Sequence, residues 1–392
     1  MTLSPASESS NNTRETQANL NMNSSAMTDP QVTLVVVPRE RFSYTQESLE
    51  SIYEHTDIPF KLVYVDGNSP TPIKRYLETQ SQAKQFQLVR TNYYLSPNHA
   101  RNIGLSYVDT KYLVFVDNDV IVSPGWLNAL VTCAEETGAT VVGPLMCQDE
   151  PLHETIHFAA GECHVVTDIH GKRHIREKMY KQGQQVSEVR PQLKRIETEL
   201  AEFHSVLIRR EIFQKIGYLD AKMLCTKEHL DFCMTVKEAG GSIYFEPDSL
   251  VTYVPGPPIE LTDMYFYMLR WSDAWMYSSL ENLRQKWGLV EDGYFKTKYN
   301  KKLGSRRRRT IIRPLSYRFK KLGKKLGLKR KQIEQALLAV DKVVNRYITD
   351  RYARKYLQSQ QQLTYQHSRT ELCQKGDGDV RSLEICDPLI KR

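Results

Sequence analysis

The chain of 392 residues is 40% hydrophobic and carries a formal net charge of +8. This length is enough for one large domain or two ordinary ones. Negative mean hydropathy argues against a polytopic membrane protein, and no apolar run approaches the roughly eighteen residues that a membrane-spanning helix needs.

The amino-terminal segment, residues 1–30, has too few large apolar side chains to fold and is predicted to be disordered. It also lacks the apolar core of a secretory signal. The chain has seven cysteines without the spacing of a disulfide framework, which predicts reduced thiols. Together these features predict a cytoplasmic protein.

Short apolar runs then alternate with helix-like segments up to about residue 143. The predicted strands lie at 32–38, 61–66, 87–91, 112–117 and 140–144. The predicted helices lie at 45–55, 72–83, 97–107 and 124–137. This alternation predicts an α/β fold with a mainly parallel sheet that binds ligands at the carboxyl ends of its strands.

The second half of the chain has a less regular pattern. Predicted strands at 155–167 and 201–209 are separated by a polar, loop-like stretch around 172–195. The further predicted elements are a helix at 226–239, a strand at 242–254 and one long aromatic helix at 261–287. The aromatic side chains at helical spacing in that helix are interpreted as core rather than as a stacking platform for a ligand.

The basic character of the chain belongs to one segment, residues 301–331. This segment holds fifteen Lys and Arg and no Asp or Glu, so the remainder of the chain is mildly acidic. We predict a globular domain at 31–290, a basic helical extension at 291–360 and a polar tail at 361–392.

An aspartate pair follows the most apolar of the predicted strands. Asp117 and Asp119 come directly after five apolar residues and are separated by Asn118. Carboxylate oxygens are the preferred ligands of hard divalent cations such as Mg²⁺ or Mn²⁺, which often keep open positions for substrate phosphates. The pair therefore predicts a metal site for a diphosphate, whereas the alternative is an ordinary solvated turn.

Two further segments carry polar side chains at comparable places. Asp66 ends the second predicted strand and could accept hydrogen bonds from a nucleoside, although turns after strands commonly hold Asp and Gly. Arg101 lies in a predicted helix that begins at Pro97, a residue favoured in the first turn. Arg101 could bind a phosphate, and Gly104 would permit close packing of this helix. The alternative interpretation is that Arg101 is an ordinary surface residue.

These motifs in this order resemble glycosyltransferase family 2 over roughly residues 32–253. The resemblance implies a GT-A fold, a nucleotide-sugar donor, a divalent metal (Mn²⁺ or Mg²⁺) and inverting transfer of a sugar to an acceptor hydroxyl. It places Pro38 and Asp66 at the nucleoside, Arg101 near the donor, and Asp117 and Asp119 at the metal.

The family's later acidic motif departs from its usual form here. His229 stands where many relatives have the aspartate that acts as base, between Glu228 and Leu230. Histidine titrates near neutral pH and can accept a hydroxyl proton, so the chemistry stays possible. Glu228, His229 and Asp231 are all candidates for the base, and we favour Glu228 with His229.

A second departure concerns the metal. Relatives often carry a His after the strand at 242–254, where this chain has Tyr253. The metal would then be held by the two aspartates, the diphosphate and water. The spacing of His153, His157 and His164 indicates no ligand set, and each is interpreted as a surface or packing residue.

Three other functions compete with glycosyl transfer. A sugar-phosphate nucleotidyltransferase would carry a Gly-rich loop after its first strand, where this chain has Pro38 and Arg39. A non-catalytic nucleotide-sugar-binding protein would explain His229. Binding of nucleic acid rests only on the basic segment, which lacks an aromatic-basic module, and is not expected.

The basic segment suggests a further partner. Apolar residues interleave with the charges of 301–331, as in a helix that lies on an anionic membrane surface, although Pro314 would interrupt one continuous helix. Peripheral attachment to the cytoplasmic face would suit a lipid-linked or glycan acceptor. The alternative is a solvated tail that packs on the acidic domain.

Overall fold

The structure, a computed structural model, describes residues 30–255, 259–325 and 327–373. The predicted disorder of residues 1–29 and most of the predicted polar tail lie outside this range. Within it, ten strands form one mixed sheet in the order β10-β12-β6-β11-β4-β1-β2-β3, with β5 beside β12 and β7 beside β6. A separate two-stranded hairpin pairs β8 with β9.

The strands follow the apolar runs of the sequence closely. Their bounds are β1 (Val32–Val37), β2 (Phe60–Gly67), β3 (Gln87–Thr91), β4 (Tyr112–Asp117), β5 (Val120–Val122), β6 (Val141–Gln148), β7 (Ile156–Phe158), β8 (Gly161–Thr167), β9 (Arg173–Met179), β10 (Ile196–Thr198), β11 (Ser205–Arg209) and β12 (Ile243–Tyr253). β1 and β4 are buried along their whole length, which is why they appear as continuous apolar runs.

Helices cover the sheet and then build the carboxyl-terminal part. The helices are α1 (Thr45–Glu54), α2 (Thr71–Lys84), α3 (Pro97–Leu105), α4 (Trp126–Thr137), α5 (Val186–Val189), α6 (Ile212–Ile216), α7 (Glu228–Glu238), α8 (Met264–Arg270), α9 (Asp273–Lys286), α10 (Gly293–Thr297), α11 (Ser305–Arg307), α12 (Arg313–Arg318), α13 (Lys320–Lys325) and α14 (Arg330–Cys373). π-helical turns occupy Lys298–Lys302 and Arg308–Ile312.

The predicted fold class is confirmed. β1 pairs in parallel with β2 and β4, and β6 pairs in parallel with β12. β11 runs antiparallel between β4 and β6, so β6 points the same way as β4. Gly104 in α3 lets that helix approach β1, because a Cβ there would come within 2.2 Å of Val35 Cγ1.

Two predictions about the second half are wrong. The long helix at 261–287 is two helices, because Ser272 leaves the helical conformation and its side chain accepts a hydrogen bond from the backbone N–H of Trp275. The loop-like stretch around 172–195 contains strand β9 and helix α5. Frequent charged residues hid the strand, whose Ile175 is buried.

The carboxyl-terminal helices pack on the same core as the sheet. Ile348, Tyr352 and Tyr356 of α14 belong to the main hydrophobic cluster, together with Trp271 and Trp275. The Tyr352 hydroxyl donates a hydrogen bond to the Tyr94 carbonyl at 2.7 Å. The predicted extension is therefore helical and is docked on the sheet domain.

Candidate active site

The carboxyl ends of three neighbouring strands bring the predicted site residues to one edge of the sheet. β1, β2 and β4 are parallel, and Val37 in β1 pairs with Asp117 in β4. Pro38 follows β1, and a Cβ added to Gly67 at the end of β2 would lie 3.1 Å from Pro38 Cγ. The structure thus places Pro38, Asp66 and Asp117 along the same edge.

Asp117 is fully buried and holds other side chains in place. Its Oδ1 accepts a hydrogen bond from Arg101 Nη2 at 2.8 Å, and its Oδ2 lies 2.9 Å from His204 Nδ1. Arg39 Nε is 3.4 Å from the same Oδ2. Both oxygens of Asp117 are therefore engaged by protein groups.

Asp119 has the opposite character. It is fully buried, yet neither carboxylate oxygen has a hydrogen-bond partner among the residues that the structure describes. Burial raises the pKa of Asp119 well above its ordinary value, and the negative charges of Asp117 and Glu40 raise it further. A buried carboxylate without a donor is costly unless a cation or proton compensates it. Its chemistry fits a hard divalent cation.

Asn118 fixes the loop that faces this carboxylate. Its side-chain amide donates to the Arg41 carbonyl at 2.8 Å, and its Oδ1 accepts the backbone N–H of Arg39 at 2.9 Å. It also donates to Thr45 Oγ1, at the start of α1. The middle residue of the motif therefore ties the loop after β1 to the end of β4.

Arg101 does not reach solvent, so it is not the surface Arg of the alternative interpretation. It is fully buried, lies over the Phe203 ring at 4.5 Å and contacts the Phe203 carbonyl at 3.2 Å. Its direct contact is with Asp117 rather than with the open edge. In this arrangement Arg101 orients Asp117.

Asp66 is likewise engaged within the protein. Its Oδ1 accepts the backbone N–H of Ser69 at 2.8 Å, while Oδ2 accepts the Ser69 hydroxyl and a contact from Arg90. The carboxylate thereby closes the turn after β2. Contact with a nucleoside stays a prediction.

The three candidates for the base differ in their surroundings. Glu228 is paired with Arg39 at 3.0 Å and with Arg270 at 3.4 Å. Burial alone would raise the pKa of Glu228, but these positive charges lower it to about 2. Such a carboxylate stays ionised and is a weak proton acceptor at neutral pH.

Asp231 and His229 contact different residues. Asp231 accepts hydrogen bonds from Lys286 and the Trp287 indole N–H, each at 2.8 Å, so it fastens α7 to α9. His229 Nε2 lies 3.4 Å from Glu202 Oε1 and has no hydrogen-bond partner among the described residues. His229 is therefore the candidate whose Nε2 makes no hydrogen bond among the described residues, although it lies beside the Glu202 carboxylate.

Three residues that sequence reasoning did not combine meet beside Asp117. Donor atoms of His157, Glu202 and His204 all lie within 4.8 Å of one another. The sequence pattern indicates a surface or packing role for His157, but the pairing of β7 with β6 carries it to the site. Burial lowers the pKa of His157 to about 4 and that of His204 well below its ordinary value.

The basic segment also contributes to the site. Arg306 lies over the Trp271 ring at 4.0 Å, and its Nη1 is 3.6 Å from Glu40 Oε2. Glu40 in turn accepts the Trp271 indole N–H at 2.9 Å. The Arg306 side chain is 30% exposed, so part of it is accessible from solvent. Sequence reasoning alone assigns this residue to a separate tail.

The amino-terminal part of the basic segment is not a free surface helix. Ile312 is buried, and Leu303 and Ile311 pack against the main core. The prediction that these residues form part of an exposed apolar face is therefore wrong. Within the described part of the chain, no helix has the length and apolar character needed to cross a membrane.

Comparisons with known proteins agree with this architecture. Residues 33–217 match the family model described as glycosyl transferase family 2. An uncharacterized glycosyltransferase of Rickettsia bellii (strain RML369-C) is 25% identical over 99 residues, which span 25% of this chain and 14% of that protein. This chain thus spans a small part of the curated relative it matches.

Two solved structures resemble the chain more broadly but loosely. The structure of GalNAc-T7 with UDP, GalNAc and Mn²⁺ has a TM-score of 0.44 and 17% identity over 77% of this chain and 68% of that chain. The structure of S. aureus TarS has a TM-score of 0.43 and 14% identity over 82% of this chain and 55% of that chain.

The family match takes in the turn that contains Asp66, the helix that carries Arg101 and the aspartate pair after β4. The mixed sheet flanked by helices is the architecture expected of the GT-A fold. Residues 33–217, just under half of this chain, are therefore similar to glycosyl transferase family 2.

Proposed function

We propose that the protein transfers a sugar from a nucleotide-sugar donor to an acceptor hydroxyl with the help of a divalent cation, Mg²⁺ or Mn²⁺. The observation that carries the proposal is Asp119, a buried carboxylate without a hydrogen-bond donor among the described residues, at the carboxyl edge of the sheet. Asp119 would be the principal protein ligand, and Asp117 would contribute through Oδ2 or through water. A cation there would neutralise the diphosphate and stabilise it as a leaving group.

Protein cations support the same chemistry. Arg39 is held between Asp117 and Glu228, and Arg306 lies over Trp271 and beside Glu40. Positive groups placed beforehand, where negative charge develops, stabilise a transition state without reorganisation. We assign Arg306 to the departing diphosphate and Arg101 to the orientation of Asp117.

His229 would accept the proton of the acceptor hydroxyl. Glu228 is ionised and doubly paired, and Asp231 binds Lys286 and Trp287, so neither is poised for this role. The acceptor oxygen would attack the anomeric carbon as the bond to the diphosphate breaks, with inversion as the family resemblance implies. His229→Ala should lower turnover with little effect on donor affinity.

A donor screen tests the proposal. Purified protein with Mn²⁺ or Mg²⁺ is incubated with UDP-, GDP-, dTDP-, CDP- and ADP-sugars together with glycan and lipid-linked acceptors, and release of nucleoside diphosphate is measured. Asp119→Asn and a chelator should each lower release by about a hundredfold or more. Full activity of Asp119→Asn in metal-free buffer would contradict the assignment of the cation.

Glu228 is ionised and held by two arginines, so it is a weak proton acceptor. This observation favours one second candidate, a nucleotide-sugar-binding protein without turnover. Such a protein would bind the donor with metal but release no nucleoside diphosphate with any acceptor or with water. A nucleotidyltransferase would instead form a nucleotide sugar from nucleoside triphosphate and sugar phosphate. The same preparation can be assayed for all three outcomes.

Attachment to the cytoplasmic face of an anionic membrane is part of the proposal. Tyr317, Phe319 and Leu328 are 60%, 43% and 44% exposed, and Arg318 and Lys320 beside them are exposed as well. Each basic residue near such a surface contributes about 1 kcal/mol. Cosedimentation should retain the protein on anionic but not neutral vesicles, and Tyr317→Ser with Phe319→Ser should weaken it. Equal recovery in both supernatants at low salt would contradict attachment to the membrane.

A further inference from the structure

A cluster of three metal-ligating side chains lies beside Asp117, next to the oxygen that Arg101 does not bind. It consists of His157 in β7 and of Glu202 and His204 in the segment before β11, and we call it the histidine cluster. Glu202 and His204 are buried, and His157 is half-buried. One donor atom from each lies within 4.8 Å of the others, so a small inward shift would let all three bind one ion.

Hydrogen bonds orient both imidazole rings for this role. His157 Nδ1 lies 2.8 Å from Gln148 Oε1, and His204 Nδ1 lies 2.9 Å from Asp117 Oδ2. Both partners are oxygen acceptors, so each Nδ1 carries the proton and each Nε2 keeps its lone pair. Metal-binding histidines commonly donate their other ring N–H to an oxygen in this way, which fixes the tautomer and raises ligand basicity.

The rings are also held by packing. His204 stacks on Tyr253 with ring centroids 3.8 Å apart, and His157 meets His204 edge-on at 5.5 Å. His229 Nε2 lies 3.4 Å from Glu202 Oε1 and adds a fourth group at the rim.

We propose that His157, Glu202 and His204 bind a divalent cation of the Zn²⁺, Mn²⁺ or Co²⁺ class at a site separate from Asp119. Two imidazole nitrogens and one carboxylate suit these borderline cations better than Mg²⁺. Three protein ligands leave coordination positions open for water or a substrate oxygen. The binding site stands on its own geometry, and only its placement on the acceptor side, next to His229, rests on the proposed function.

Metal binding to the full-length protein tests this site directly. The purified chain is stripped with chelator, and binding of Zn²⁺ and Co²⁺ is followed by equilibrium dialysis and by the visible absorption of Co²⁺. His157→Ala and Glu202→Gln should each weaken binding by more than the roughly 10–100-fold that loss of an orienting partner costs. Gln148→Leu, which removes only such a partner, should fall within that range.

Two further variants separate the histidine cluster from the rest of the chain. His164→Ala alters a histidine that pairs with Glu199 outside the cluster and should bind the ion as the wild type does. Asp119→Asn should also keep the ion, although it loses transfer activity. If His157→Ala and Glu202→Gln both bind Zn²⁺ and Co²⁺ like the wild type, or if Asp119→Asn alone abolishes binding, the inference is overturned. Loss of the ion from the histidine-cluster variants would support it even if no donor sugar were turned over.

Discussion

Arg307 joins the carboxyl-terminal helices to the sheet domain, and its removal should destabilise the whole protein. The side chain is 1% exposed. Its Nε and Nη2 donate to both oxygens of Asp341 in α14, at 3.1 and 2.9 Å. The guanidinium also donates to the Trp271 carbonyl and to Asp273 Oδ1. One side chain thus holds α8, α9, α11 and α14 together.

The magnitude follows from what the change leaves behind. Arg307→Gln cannot reach all these acceptors, and Asp341, with a side chain only 4% exposed, would keep a buried charge without its partner. Breaking a buried ion pair from one side costs about 3–5 kcal/mol. For a chain of this size that corresponds to a fall in Tm of roughly 4–6 °C.

Arg308→Gln is the matched control, because Arg308 is 47% exposed and Glu334, its buried partner, keeps Arg330 at 3.6 Å and Arg313 at 3.9 Å. Loss of one exposed cation from this group should cost about 0–1 kcal/mol. Urea unfolding followed by tryptophan fluorescence suits the comparison, since Trp271 and Trp275 lie at this contact. If the two variants differ from each other by less than about 1 kcal/mol in the free energy of unfolding, Arg307 does not hold the helices as described.

Three further results are expected. Asp119→Asn should lower nucleoside diphosphate release by about a hundredfold or more, because cation stabilisation of the leaving group is worth several kcal/mol; thermal unfolding should show that the variant is folded. Arg306→Gln should weaken binding of UDP or of the preferred nucleoside diphosphate about tenfold, as measured by calorimetry, whereas exposed Arg318→Gln should not. Burial alone would raise the pKa of Glu177, but Lys227 and its neighbours lower it to about 2. The ionised carboxylate therefore stabilises the fold fully above about pH 4.5, and this contribution is lost as the pH falls towards 2. In Glu177→Gln the free energy of unfolding should depend less on pH across that range.

The first half of the fold could be predicted because its signals are local. β1 and β4 are buried on both faces and therefore appear as unbroken apolar runs, and Pro97 does begin α3. Asp117 ends β4 and Asp119 lies in the turn after it, so the position of the site could be predicted from one strand and its turn. The same local reasoning could not show that Asp117 is engaged by protein groups while Asp119 has no donor among the described residues.

The missed residues come from contacts between distant segments. His157 reaches Glu202 and His204 through the pairing of β7 with β6, and no spacing in the sequence encodes that approach. Arg306 reaches Trp271 because Arg307 next to it is bound by Asp341 from α14. The sequence did single out residues 301–331, because this segment contains no acidic residue. That pattern indicates a positively charged segment, but it does not show that one of its arginines contacts Trp271.

β12 has a consequence for the design of chimeric proteins that contain part of this chain. The family match ends at residue 217, whereas β12 lies at Ile243–Tyr253 and pairs with β5, β6 and β10. A transplanted 33–217 segment would leave the edge of β6 open to other chains. Chimeras intended to exchange donor preference should therefore include β12 together with residues 33–217. The junction between the two proteins should lie after β12, where it does not divide the sheet.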